Sequence, residues 1–301
     1  MGGCEVAVVT VEPADAPPVR YDGRVWVRVG PRRAMATPDE ERRLSEKRRA
    51  RDLPFDLWPV TGANLQDLNL NLFHFTYLPS AIAPDILEQN QRTTDQQLES
   101  LRFLTSAKKP TIVGILTLGT EPRRYLPGSY VQFVRFEGGD VTTSIRDQKE
   151  IGGALPDMLQ QIDSLLEINI STATDLTSLA TEVRRTDYPI AALQQLARNA
   201  IMHRNYQTSN APVRIYWFSD RVEIQNPGGP FGQVNKINFG QPGLADYRNP
   251  HLAEVMHNLG YVQRFGIGIS IAREQLRRNG NPDLEFTIED THILATLRRR
   301  I

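Results

Sequence analysis

The chain has 301 residues, 40% of them hydrophobic and 23% charged, enough for two globular domains and a sizeable core. Thirty-five Lys+Arg balance thirty-five Asp+Glu, so bulk charge does not drive the protein onto nucleic acid, although a local basic patch stays open. The single cysteine, Cys4, excludes an intrachain disulfide, no apolar run reaches the ~20 residues a bilayer needs, and the first residues lack a signal-peptide pattern; the expectation is a soluble, cytoplasmic protein with no membrane partner.

In chain order, Glu5–Val11 and Arg24–Val29 are β-rich runs split by a Pro-rich stretch. Thr37, Pro38, Asp39, Glu40 and Glu41 supply an N-cap, a proline at the first helical position and acids in the first turn, predicting a helix to about Arg51. From Arg20 to Arg51, eleven Lys/Arg stand against five Asp/Glu, a net of about +6. Such a run is either a solvated helix face or a contact surface for nucleic acid. Asn64–Phe75 is ambiguous between strand and helix. Pro84–Leu104 reads as helices, Pro110–Gly119 as a buried strand, Tyr130–Phe136 as an alternating strand and Leu155–Asn169 as an amphipathic helix.

The last third is patterned most sharply. Pro189–Arg204 is a helix with an apolar stripe at Leu193, Leu196, Ala197, Ala200 and Ile201. Pro212–Phe218 and Arg221–Gln225, joined by Ser219 and Asp220, form a hairpin candidate. Residues 230–249 are a long Gly/Asn/Gln-rich segment of the kind that forms lids. Pro250–Leu259 is a short helix ended by Gly260. Gly266-Ile267-Gly268 opens another that stops at Gly280, and Glu285–Ile288 and His292–Leu297 close the chain as strands.

Gln195, Asn199 and His203 are spaced by four and stack along one helix face beside the apolar stripe. A polar row there either lines a cavity at the edge of the core or satisfies nearby backbone. Asn226, Gly228 and Gly229 sit at a strand end, where glycine admits close backbone approach. Gly266 and Gly268 precede a helix whose free N–H groups suit a phosphate. The five histidines have no metal-type spacing with cysteine, and neither a Walker-type phosphate loop nor a Gly-x-Ser-x-Gly elbow occurs. Taken together, the motifs read as a nucleotide pocket.

The order of these motifs resembles a known family. Gln195-Leu-Ala-Arg-Asn199-Ala-Ile-Met-His203-Arg204-Asn205-Tyr206 is similar to the N-box helix of the GHKL ATPases. Ile224–Gly229, Arg248–Pro250 and Phe265–Ile269 resemble further motifs of a bacterial and archaeal group that joins a Schlafen-type AlbA DNA-binding domain to a divergent GHKL-like ATP-binding domain. That group is labelled as transcriptional regulators or helicase-related proteins. Pro110–Gly138 is similar to its connecting domain, and Tyr21–Arg51 to the last strand and helix of its AlbA-type domain, whose opening portion the chain lacks.

The resemblance implies an α+β protein: a partial AlbA-type domain at 1–55, a connecting α/β region at 56–185 and a Bergerat-type, GHKL-like α/β sandwich at 186–301. It implies ATP and Mg²⁺ as cofactors, DNA as a further partner, and a homodimer. Asn199 would hold Mg²⁺ against the phosphates. Asn226, Gly228 and Gly229 would border the adenine, and Gly266 and Gly268 would donate to phosphate. His203 and Arg204 would lie towards the phosphates, and residues 230–249 would form the lid. Arg28, Arg32, Arg33, Arg42, Arg43 and Lys47 would make the DNA surface. One departure matters: the family writes Glu as general base where this chain has Gln195. The expectation is an ATP-binding regulator of a DNA or partner surface, with hydrolysis weak or absent. An active ATPase acting on nucleic acid and a non-nucleotide interaction module are the alternatives.

Overall fold

In the N-terminal region, alternation of inward and outward residues builds a small sheet. In the computed structural model, which describes residues 18–41, 44, 53–175, 183–263 and 266–300, the chain divides into one unit within residues 1–53 and another over 54–301. In the first unit, β1 (Arg20–Tyr21), β2 (Arg24–Val29) and β3 (Arg32–Met35) form an antiparallel sheet in that order. The expected cap at Thr37 is present: its Oγ1 accepts from the Glu40 N–H, and its own N–H donates to the Glu40 carboxylate. The expected strand at Glu5–Val11, and Arg42, Arg43 and Lys47, lie outside the described residues.

The second unit is α+β. Pro84–Leu104 gives α1 (Pro84–Asn90) and α2 (Thr94–Ser100). The ambiguous Asn64–Phe75 resolves as helical turns, running on through a π-turn at Phe73–Tyr77 to Ala81. Pro110–Gly119 is not a strand. Ile112–Leu118 is a helix, α3, with every residue buried. An apolar run buried on all sides carries no periodicity, so its type is set by the ends. Here Thr111 caps it by accepting from the Gly114 N–H at 3.1 Å.

The remaining elements match their predicted spans closely. They are β4 (Val131–Phe136), α4 (Leu155–Asn169), α5 (Ile190–Met202), the hairpin β8 (Val213–Trp217) and β9 (Arg221–Pro227), α6 (Pro250–Asn258), α7 (Gly268–Asn279), β10 (Glu285–Ile288) and β11 (His292–Arg298). β5 (Ile145–Ile151) and the small pair β6 (Thr172–Asp175) and β7 (Val183–Thr186) had no sequence signal. The main sheet has six strands in the order β10-β11-β9-β8-β4-β5, antiparallel except where β4 meets β8.

α5 packs on β8 and β9, flanked by α4 and α7, and its predicted stripe of Leu193, Leu196, Ala197, Ala200 and Ile201 is buried in one continuous core. β4 and β5 of the connecting stretch thus belong to the same sheet as the C-terminal strands, whereas β6 and β7 form a separate pair. Among the described residues no helix is long and apolar enough to cross a membrane.

Candidate functional site

Burying the α5 stripe sets the half-buried polar row at the rim of the core. Gln195 and Asn199, one turn apart, line a cavity walled by α5 and floored by β9, β10 and β11. The 230–249 segment roofs it through Phe231, Val234, Phe239, Leu244 and Tyr247. The empty space there, open mouth included, is about 1060 Å³.

Gly268 begins α7 against the two amides: a Cβ there would lie 3.4 Å from Gln195 Oε1 and 3.7 Å from Asn199 Nδ2. No side chain caps α7, and no acid occupies its first turn. Its first N–H groups, at the positive end of the helix dipole, thus border the cavity beside two amides that make no hydrogen bond among the described residues. A helix N-terminus of this kind favours an anion in the adjoining space.

At the other side, Asn226 is 6% exposed, and its Nδ2 reaches only the Gly228 carbonyl, at 3.5 Å. Its amide is a buried polar group among Ile224, Ile293 and Phe286.

His203 closes α5 and lines the cavity with its ring stacked on Tyr247, centroids 5.5 Å apart. Burial, reinforced by the positive charge of Arg248, lowers its pKa to about 4, so the ring is neutral at pH 7. Arg248 donates to the Gly229 carbonyl at 3.3 Å and lies over Phe231 at 4.7 Å, fixing the end of the roof.

The predicted set is therefore brought together in part. Gln195, Asn199, His203, Asn226, Gly229, Gly266 and Gly268 all line the cavity. Arg204 does not. It is 2% exposed and donates to the carbonyls of Asn205, Ser209 and Ala211, holding the 205–211 turn. That turn leaves carbonyls facing inward, and a buried guanidinium is the donor that satisfies them. Gly228 is set back as well: with φ +107° it lets β9 pass Asn205, whose Cβ would lie 2.8 Å from a Cβ at 228. Phe265 of the predicted turn lies outside the described residues.

Two contributors had no local signal. Asp56, 0% exposed, accepts from the His251 and Leu252 N–H groups and so caps α6 just after the roof. Asn249 donates to the Met202 and Arg204 carbonyls at the end of α5. Both partnerships join residues far apart in sequence, so no spacing rule finds them.

In the basic patch, Arg28 and Arg33 are cross-strand partners and share one face of the small sheet. Arg32 pairs with Val29 on the opposite face, which splits the predicted patch.

Fit to Mg²⁺ follows from the donor set. Asn199 offers a hard amide oxygen with no protein partner, and Mg²⁺ characteristically combines few protein ligands with phosphate oxygens and water. Among the described residues no cluster of three or more His, Cys, Asp or Glu forms a self-sufficient cation site. Residues suited to a metal carried in with phosphate are present; among the described residues a cage for a lone ion is not.

Residues 210–297 match the family described as "Putative ATP-dependent DNA helicase recG C-terminal", which supports an ATPase-like, GHKL-type domain there. Among solved structures, the DIP2311 protein from Corynebacterium diphtheriae is similar in fold, with a TM-score of 0.61 at 18% identity. The likeness covers 95% of this chain but 56% of that one, so the chain spans little more than half of that protein's length. No curated protein matches the sequence.

Proposed function

We propose that the 54–301 unit binds ATP with Mg²⁺ in this cavity, and that bound nucleotide regulates a DNA-contacting surface of the same protein. The observation that carries the reading is the pairing of the Gln195 and Asn199 amides with the uncapped N-terminus of α7, opposite the buried Asn226 amide. Phosphates would lie at the first pair, with Asn199 as the protein's ligand to Mg²⁺, and adenine would lie on Asn226. When bound, Mg²⁺ supplies neutralising charge on the phosphates. Among the described residues no Lys or Arg side chain lines the cavity.

Hydrolysis is expected to be weak. An amide at 195 cannot accept the proton of an attacking water, and losing general-base help costs about 10²–10⁴-fold in rate. The one carboxylate among the described lining residues, Asp246, already accepts from the Gln233 and Tyr247 N–H groups. This favours a binding switch over an active ATPase, the reading that the matched family's description invites.

Calorimetric titration of ATP with Mg²⁺ into the full chain, alongside Asn199→Ala, tests the proposal. Binding that is lost in the variant and on chelation with EDTA supports it. No binding to the intact chain overturns it and leaves an interaction module.

A further inference from the structure

The small sheet of β1–β3 places alternate residues on opposite faces, and cross-strand partners share a face. Tyr21 with Arg24, Trp26 with Met35, and Arg28 with Arg33 therefore lie on one side. All six are exposed, whereas Val25, Val27 and Ala34 on the other side are buried or half-buried. That other face has an apolar centre, with exposed Arg20, Val29 and Arg32 towards its ends. The outward face is not an ordinary solvent face, which would be polar throughout. Tyr21 is 76% exposed, Trp26 39% and Met35 58%.

The charge on that face has one sign. Arg24, Arg28 and Arg33 stand among the three apolar side chains, and no acid belongs to the set. Arg33 lies over the Trp26 ring at 5.0 Å, and Arg28 Nε donates to the Gly30 carbonyl at 2.9 Å, so two of the guanidinium groups are held against the sheet. The neighbouring cations differ: Arg20 is engaged by Glu41 at 2.8 Å, and Arg32 lies on the opposite face.

We propose that this face binds single-stranded DNA, an inference that rests on the DNA-contacting half of the function proposed above and gives it residues and a strand preference. Two exposed rings on one face of the sheet offer stacking surface to bases, which only unpaired bases can use. The arginines between them meet the phosphates of the same strand, and their single sign is complementary to a polyanion. A duplex presents paired base edges and backbone, leaving Tyr21 and Trp26 without partners.

The test is fluorescence anisotropy of a labelled oligothymidylate of about fifteen nucleotides with the full-length protein, against a duplex of equal length. The single strand should bind more tightly. Trp26→Ala and Tyr21→Ala should each weaken binding about tenfold, in the range alanine substitution of stacking residues gives. Arg28→Ala and Arg33→Ala should weaken binding and flatten its salt dependence by about 0.7 per lost phosphate contact. Arg32→Ala, on the other face, should weaken binding less than Arg33→Ala, and Val29→Ala, an exposed uncharged change on that face, should leave affinity unchanged and serves as the folded control.

Equal or tighter duplex binding overturns the strand preference while DNA binding itself stands. An Arg32→Ala loss equal to that of Arg33→Ala overturns the face. No binding to either probe overturns both. The MgATP titration reports on the nucleotide pocket whichever of these is found.

Discussion

His203 shows how one residue ties the end of a helix to the roof of the cavity. Its ring stacks on Tyr247, and burial with Arg248 nearby lowers its pKa from 6.5 to about 4. In that interval the unfolded chain takes up a proton that the folded chain does not. Its contribution to stability is thus complete above about pH 6.5 and is lost as pH falls from there towards 4. Urea midpoints measured at pH 7 and pH 5 should fall less in His203→Gln than in the parent; equal losses would remove His203 as the cause. Gly229 poses a different question, because a Cβ there would lie 2.4 Å from the Glu289 carbonyl oxygen and 2.6 Å from that of Asp290. Both are backbone atoms that cannot swing aside. Gly229→Ala should destabilise the fold by about 1–3 kcal/mol in denaturant titration. Lost nucleotide binding in that variant would therefore not identify a contact, whereas Asn226→Ala, which removes a side chain that holds nothing else firmly, would. For position 195, Gln195→Glu should raise ATP turnover by about 10²-fold or more if this is the base position, and phosphate release reads the change directly.

At the scale of elements, the sequence is most readable where periodicity is strong. The α5 stripe and the Ser219–Asp220 hairpin follow from spacing alone, and the polar row on α5 leads to the cavity because it must lie beside that stripe. Ile112–Leu118 escapes that rule, because burial on every side erases the period and one capping hydroxyl decides the outcome. Thr111 Oγ1 accepts from Gly114 and donates to the Arg102 carbonyl at 2.7 Å. Thr111→Ala should cost about 1–2 kcal/mol, measured by chemical denaturation; a neutral result would mean that packing alone sets the helix. β5 was invisible for the opposite reason. As an edge strand it is exposed along nearly its whole length, so IRDQKEI has no inward face to alternate with. Asp56 capping α6 and Asn249 holding the end of α5 are long-range polar contacts, and local grammar does not encode the distance they span.

At the scale of the molecule, the cavity draws on α5, three strands, the roof and the start of α7, all inside one unit sharing one core. The roof is fastened at its middle and at its exit. Phe239 packs edge-on against Phe286 at 5.1 Å, Lys236 pairs with Glu289 and Asp290, and Arg248 and Asn249 fix its exit. A ligand held between the roof and the floor binds only the folded state, so it must raise the stability of the whole unit rather than of a loop. At a hundred times its Kd, such a ligand adds about 2.7 kcal/mol. For a unit of this size that corresponds to a rise in Tm of about 5–10 °C, seen as one shifted transition. MgATP should produce that shift in the parent and not in Asn199→Ala. Phe239→Ala should give an intermediate shift, because it loosens the roof without touching the phosphate end. If MgATP instead shifts Asn199→Ala as far as the parent, the nucleotide is held elsewhere, and the amide pair at the start of α7 is a feature of packing. A shift that survives EDTA in the parent would separate the two roles, leaving the Asn226 end as the binding determinant and removing Mg²⁺ from the account.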